Sequence, residues 1–178
     1  MSKRHIRYIG DPVLRKKAEP VKKVTAEIRN LIQDMFETME KEDGAGLAAP
    51  QIGISRQVIV YDVRVDEDGK RERRALVNPE IVSYSEKREA TEEGCLSLPG
   101  IHVGVERAHG VKVRALDEKG KKVVIEATEM HARVLQHEID HLHGIFFSGG
   151  AGIPEGTAKQ IVDQFRVENH HLPGSGDI

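Results

Sequence analysis

Segment 136–141 constrains this chain more than any other stretch, because it carries the pattern His-Glu-x-x-His. Residues four apart on an α-helix lie on one face, so His137 and His141 can bind one metal ion together, with Glu138 beside them. This pattern is typical of metal-assisted hydrolysis, in which the glutamate carries a proton. The segment therefore predicts a helix with a metal site on one face, and an ordinary charged helix face is the alternative.

The helical phase also predicts how this helix sits in the fold. At about 100° per residue, one inward-facing arc holds Met130, Val134, His137, Glu138, His141 and Ile145. We expect the apolar members of this arc to pack on the core, while the His-Glu-His set opens into a pocket. Asp140 and His143 point to the opposite side, where we expect ordinary surface residues.

Composition limits the function classes that remain open. A length of 178 residues suits one compact domain, so we expect a single catalytic domain over 1–178 with a flexible tail at 172–178. The formal net charge of −2 gives no electrostatic reason to expect binding to nucleic acid or acidic lipid. Neither a bilayer-length apolar run nor a secretory signal is visible, and one cysteine fits a reducing compartment, which predicts a cytoplasmic protein.

Apolar periodicity predicts a mixed fold. Apolar residues from Ile28 to Met39 recur at helical spacing, with Thr25 placed to cap the helix and Gly44 to end it. Short apolar runs separated by turn residues predict strands at 58–61, 75–77, 111–115 and 123–125.

The end of one strand and a last helix complete this prediction. We expect the strand at 75–77 to stop at Asn78-Pro79, and a closing amphipathic helix at 157–168. The predicted fold class is α+β, with antiparallel strands packed around a central metal-binding helix and further helices outside.

Two other segments can complete the site. Segment 44–51 has two glycines and three alanines, so either a ligand or another part of the chain can approach it closely, and Gln51 ends it with a side-chain amide. A catalytic site of this kind usually has three protein ligands. Cys95 is a candidate for the third, although a lone cysteine is by default a small buried apolar residue, and Glu155 is a downstream alternative.

Segments 44–51, 93–97 and 136–141 together resemble the three signature motifs of peptide deformylase, in the same order and at plausible separations. The resemblance covers most of residues 5–147. It implies that Cys95, His137 and His141 are the metal ligands and that Glu138 is the general acid and base. It also implies that Gln51 stabilises an oxyanion together with the backbone N–H of Leu96.

The same resemblance implies a function. It implies a metal-dependent hydrolase that removes the formyl group from the N-terminal formyl-methionine of newly made polypeptides and releases formate. The extended substrate is expected to lie against Gly46 on one side and Gly94 on the other. Ala45 departs from the larger aliphatic residue often found beside the methionine pocket, and His102 stands where some members have arginine. The depth of the pocket is therefore left open.

Cofactor and partner follow from the resemblance as well. Fe2+ is the implied ion in the cell, and Zn2+, Ni2+ or Co2+ can occupy such a site. N-formylmethionyl nascent peptides are the implied substrates and the ribosome is an implied transient partner. Two alternatives remain open, a metalloprotease whose third ligand lies after the helix and a binding module without activity.

Overall fold

The structure is a computed structural model that describes residues 4–147, together with Gln160 and Asp163. Within residues 4–147 the helices are α1 (Ala26–Lys41) and α2 (Glu129–Leu142), and two short 3-10 helices span Pro12–Leu14 and Ala49–Ile52. The strands are β1 (Gly46–Ala48), β2 (Val58–Arg64), β3 (Arg71–Tyr84), β4 (Arg88–Cys95), β5 (Leu98–Ala108), β6 (Gly110–Leu116) and β7 (Lys122–Thr128). All strand pairs are antiparallel, in a five-stranded sheet β1-β2-β3-β6-β7 and a two-stranded sheet β4-β5.

The five-stranded sheet separates the two helices, because alternate residues of β2 face opposite sides. Val58 and Val60 pack with the apolar stripe of α1, whereas Ile59 and Tyr61 pack with α2. Thr25 caps α1 by accepting a hydrogen bond from the backbone N–H of Ile28 at 3.4 Å, as predicted. This helix ends at Lys41, before Gly44.

α2 is the central element, and eleven of its fourteen residues are buried. It contacts strands of the five-stranded sheet on one side and β5 of the two-stranded sheet on another. The predicted α+β class, with antiparallel strands around this helix, is confirmed. Two members of the predicted inward arc are exposed instead, since Met130 is 55% exposed and Ile145 is 39% exposed after the helix has ended.

The predicted stop at Asn78-Pro79 is wrong, because β3 continues through both residues to Tyr84. The pairing of β3 with β6 shifts register between Val77 and Glu80, which leaves room for a proline that cannot donate to the ladder. The Asn78 side chain bonds both backbone groups of Val21, at 2.8 Å and 2.7 Å. A bulge therefore replaces the expected strand end.

Within the described part of the chain, neither helix has the length and apolar content needed to cross a membrane. The predicted helix at 157–168 lies outside the described residues, except for Gln160 and Asp163, which are helical. The predicted tail at 172–178 and the alternative ligand Glu155 also lie outside them.

Candidate active site

Three candidate ligands converge where the end of β4 meets α2. Cys95 is the last residue of β4, and its Sγ lies 3.4 Å from Nε2 of His141. The Nε2 atoms of His141 and His137 are 3.1 Å apart, and the three ligand atoms all lie within 4.8 Å of one another. Ligands of a tetrahedral zinc-like site are about 3.3–3.6 Å apart, given metal–ligand bonds of about 2.0–2.3 Å. The distances of 3.4 Å and 3.1 Å are close to these values, so the donor set suits one divalent metal ion.

Glu138 lies beside these ligands, against the backbone of β1. A Cβ atom added to Gly46 would come within 2.7 Å of the Glu138 Oε1 atom, so this carboxyl depends on a glycine opposite it. Burial raises the pKa of Glu138 to about 7, although the positive charge of a protonated His137 acts to lower it. No residue in the described part of the chain hydrogen-bonds its buried Oε2 atom. A carboxyl with a pKa near neutrality suits proton transfer.

Gln51 reaches the ligands from the 3-10 helix that follows β1. Its Oε1 accepts a hydrogen bond from the backbone N–H of Ala48 at 2.9 Å, which fixes which end of the amide faces the site. Its Nε2 donates to Ser97 Oγ at 3.0 Å and lies 3.6 Å from Cys95 Sγ. The amide N–H group is thus held next to the candidate metal ligands.

A buried group of charged residues contacts His137 at Nδ1, the ring nitrogen that does not face the other candidate ligands. Glu93 accepts hydrogen bonds from Arg107 at 2.6 Å and 2.9 Å and from Arg133 at 2.6 Å, and its Oε1 is 2.8 Å from His137 Nδ1. Burial raises the pKa of Glu93, but the bonds from His137 and Arg107 outweigh it and hold that pKa at about 2. Arg107 also bonds Asp140 at 2.8 Å.

These charged residues were missed by the sequence analysis. Glu93 stood in a recognised segment without a role, and Asp140 was expected to be an ordinary surface residue. Instead, the Asp140 side chain is only 17% exposed and paired with Arg107. Nothing in the spacing of Glu93 and Arg107 predicts that β4 and β5 bring them together, because their register depends on the turn between the strands.

A cavity of about 660 Å³ opens beside the candidate ligands. Its lining includes every residue that the resemblance assigns to substrate binding, catalysis or metal binding except His141, namely Ala45, Gly46, Gln51, Gly94, Cys95, Leu96, His137 and Glu138. Met130, Val134 and His102 also line it, and His102 lies across the β4-β5 pair from Gly94. The structure thus gathers residues from segments that are far apart in sequence around one cavity.

Comparison with known proteins gives a consistent result. Residues 3–150 match the family model described as polypeptide deformylase. The chain is 52% identical over 148 residues to the peptide deformylase of Alkaliphilus metalliredigens, covering 83% of this chain and 96% of that protein. It is 49% identical over 142 residues to the peptide deformylase of Pseudothermotoga lettingae, covering 80% of this chain and 79% of that protein.

Solved structures agree with these sequence relatives. The crystal structure of peptide deformylase from Ehrlichia chaffeensis in complex with actinonin matches with a TM-score of 0.85 at 34% identity, covering 96% of this chain and all of that one. The crystal structure of peptide deformylase from Thermotoga maritima matches with a TM-score of 0.73 at 43% identity, covering 81% of this chain and 94% of that one. The match to the family model spans well over half of the chain, and the relatives are well above 30% identity. The chain therefore belongs to the peptide deformylase family of enzymes, which remove the formyl group from the N-terminus of polypeptides.

Proposed function

We propose that this chain, as a single catalytic domain, hydrolyses the formyl group of N-formylmethionine on newly made polypeptides with the help of one divalent metal ion. The observation that carries the proposal is the convergence of Cys95 Sγ, His137 Nε2 and His141 Nε2 within 4.8 Å. Two of these residues, Cys95 and His137, line the cavity together with Glu138. A carboxyl next to the metal ligands is suited to carry a proton in metal-assisted hydrolysis.

Cys95, His137 and His141 would hold the ion. When bound, the ion supplies Lewis acidity, which lowers the pKa of a water molecule and makes a nucleophile available near neutral pH. On the family resemblance we assign Fe2+ as the ion in the cell. Zn2+, Ni2+ and Co2+ also suit one thiolate and two imidazoles, and the general order of affinity places Zn2+ above Fe2+.

Glu138 is the proton carrier in this proposal. Its carboxyl accepts a proton from the attacking water and later donates a proton to the departing amine, which is a poor leaving group without it. Burial supports both roles, since a pKa raised to about 7 lets the group gain and lose a proton near neutrality. The glycine at position 46 leaves room for this carboxyl beside the cavity.

Gln51 and Leu96 would stabilise the negative charge that develops on the formyl oxygen. Gln51 Nε2 is held toward Cys95 by the hydrogen bonds of its amide to Ala48 and Ser97. Leu96 follows Cys95 directly and lines the same cavity, so its backbone N–H is the second proposed donor. Donors fixed in place before the reaction stabilise such charge without reorganisation.

The peptide would lie in the cavity between β1 and β4. Ala45 and Gly46 line one side and Gly94 lines the other, and small residues allow a backbone to come close. An extended peptide can then add to exposed strand edges through main-chain hydrogen bonds. We further propose that the enzyme works in the cytoplasm on chains emerging from the ribosome, because that is where formylated N-termini arise.

The test is formate release from a formyl-Met peptide, with metal analysis of the same sample. Metal-free protein reloaded without oxygen with Fe2+, Ni2+, Co2+ or Zn2+ should regain activity, and Fe2+ should give a faster enzyme than Zn2+. Acetyl-Met peptide is the control substrate, and it should react far more slowly because a methyl group replaces the formyl hydrogen. Equal rates on both substrates, or cleavage of internal peptide bonds instead, would contradict the proposal.

A further inference from the structure

Arg107 connects two carboxylates across the core of the molecule. It stands on β5 with a side chain that is 2% exposed. Its Nε and Nη2 atoms donate to the two oxygens of Glu93, at 2.6 Å and 2.9 Å, and its Nη1 donates to Asp140 Oδ2 at 2.8 Å. A planar guanidinium that uses three N–H directions in this way is held in one orientation.

The Glu93 carboxylate, held in place by Arg107, in turn contacts His137. Its Oε1 atom lies 2.8 Å from His137 Nδ1, and it is the oxygen bonded by Arg107 Nη2. A carboxylate flanked by two guanidinium groups accepts hydrogen bonds only, so His137 Nδ1 must be the donor. In the neutral ring, which is the form that binds a metal ion, the lone pair of His137 is then on Nε2, the atom that lies 3.1 Å from His141 Nε2 in the candidate ligand set.

Arg133 cannot replace Arg107 in this arrangement. Its Nη1 donates to the other oxygen of Glu93, Oε2, at 2.6 Å and to the Val105 carbonyl at 2.9 Å, and its Nη2 donates to the Glu89 carbonyl at 2.7 Å. A single bond to Oε2 leaves the carboxylate free to turn about that contact. Only the two-point contact from Arg107 fixes Oε1, the oxygen that His137 uses.

We propose that Arg107 is a positioning residue for the deformylase reaction, which holds Glu93 against His137 and is itself held by Asp140, three residues after His137 on α2. Arg107 does not line the cavity, so its influence on substrate is indirect. The inference rests on the proposed function, because it assumes that His137 is a metal ligand.

Three variants test this role, together with a matched control. Arg107→Gln removes the two-point guanidinium contact with Glu93, and Arg107→Lys keeps the positive charge without that contact. Asp140→Asn removes the negative charge that holds the Arg107 guanidinium. The control Arg114→Gln removes a guanidinium that pairs with Glu80 at 2.7 Å on the surface. For each purified protein we would measure the Co2+ dissociation constant by chelator competition, the unfolding midpoint of the metal-free form, and kcat and KM.

The expected result is a weaker hold on Co2+ in a folded protein. Arg107→Gln should raise the dissociation constant about 10–100-fold, as loss of a group supporting a metal-bound histidine typically does. Asp140→Asn and Arg107→Lys should raise the dissociation constant by less. All three variants should have a lower kcat and an unchanged KM, and the control Arg114→Gln should match the parent in every measurement. In nitrogen-15 NMR spectra, the His137 Nδ1–H signal of the parent should broaden or shift in the Arg107 variants.

The outcomes separate this inference from the proposed function. Parental Co2+ affinity and a parental His137 signal in Arg107→Lys and Asp140→Asn overturn it, even if unfolding midpoints fall. These two variants decide the matter if Arg107→Gln does not fold. If the parent binds no Co2+, or if Cys95→Ala binds it equally well, the proposed metal site fails and the inference falls with it.

Discussion

Replacing Gly46 with alanine tests how tightly β1 fixes the proton carrier. The added Cβ would lie 2.7 Å from Glu138 Oε1, 2.9 Å from its Cγ and 3.0 Å from its Cδ. Ordinary contact begins at 3.4 Å, so Oε1 has to retreat by about 0.7 Å to restore it (3.4 − 2.7). Three atoms are crowded at once, so turning the carboxyl in place does not relieve the contact. Glu138 is 5% exposed and lines the cavity, so a carboxyl that gives way would leave its present position beside the ligands.

A displacement of this size has a predictable kinetic cost. Misplacing a reacting group by about 1 Å costs up to about 10²-fold in rate, so we expect kcat to fall roughly 10–100-fold in Gly46→Ala. The upper end of this range is comparable to the loss expected for Glu138→Gln, roughly 10²-fold, in which proton transfer itself is removed. Metal content should stay parental, because the substitution touches none of the three proposed ligands.

The assay is formate release under saturating formyl-Met peptide, with KM and metal content measured on the same samples. Gly104→Ala is the matched control, since a Cβ at this position of β5 meets no atom within 4 Å. In a Glu138→Gln background, Gly46→Ala should lower kcat much less than it does in the parent. A parental kcat, or a rise in KM alone, would refute the reasoning, because the added methyl group would then obstruct only the substrate.

Three further substitutions follow from single contacts. Ser97→Ala removes the Oγ that accepts from Gln51 Nε2 at 3.0 Å, so kcat should fall about tenfold with metal retained, and a parental kcat would contradict this. Cys95→Ala should abolish stable metal retention on dialysis, and retained metal would refute the ligand assignment. Gly144→Ala combines a φ of +72° with a Cβ that would overlap the Arg15 carbonyl oxygen, so urea unfolding should report a loss of about 2–5 kcal/mol in the free energy of unfolding. A loss below about 1 kcal/mol would be contrary evidence.

The parts of the fold that could be predicted from the sequence are those governed by local rules. Helical spacing located the stripe of α1, and Thr25 caps it because its side chain reaches the Ile28 N–H. The same spacing placed His137 and His141 on one face of α2, where their Nε2 atoms meet at 3.1 Å. These contacts involve residues three or four apart, so the sequence determines them without knowledge of the rest of the chain.

The parts that could not be predicted depend on which distant segments meet. β3 continues through Pro79 because a bulge in its pairing with β6 absorbs the missing N–H, and a dipeptide pattern carries no information about that partner. In the same way, Asp140 looked like a surface residue on the helical wheel until β5 brought Arg107 beneath it. A helical wheel shows only the direction of a side chain and not what the chain places there.

The run of small residues from 44 to 49 allowed two interpretations, close approach of a ligand or tight packing within the protein. A Cβ on Gly44 would lie 2.8 Å from the Leu96 side chain, and one on Gly46 would meet Glu138. Both glycines therefore accommodate the protein's own side chains, which favours packing. Leu96 and Glu138, however, are two of the residues proposed to act on the substrate. We therefore propose that packing in this run aligns the site and that Ala45, which is exposed and lines the cavity, is the residue of the run that faces the peptide.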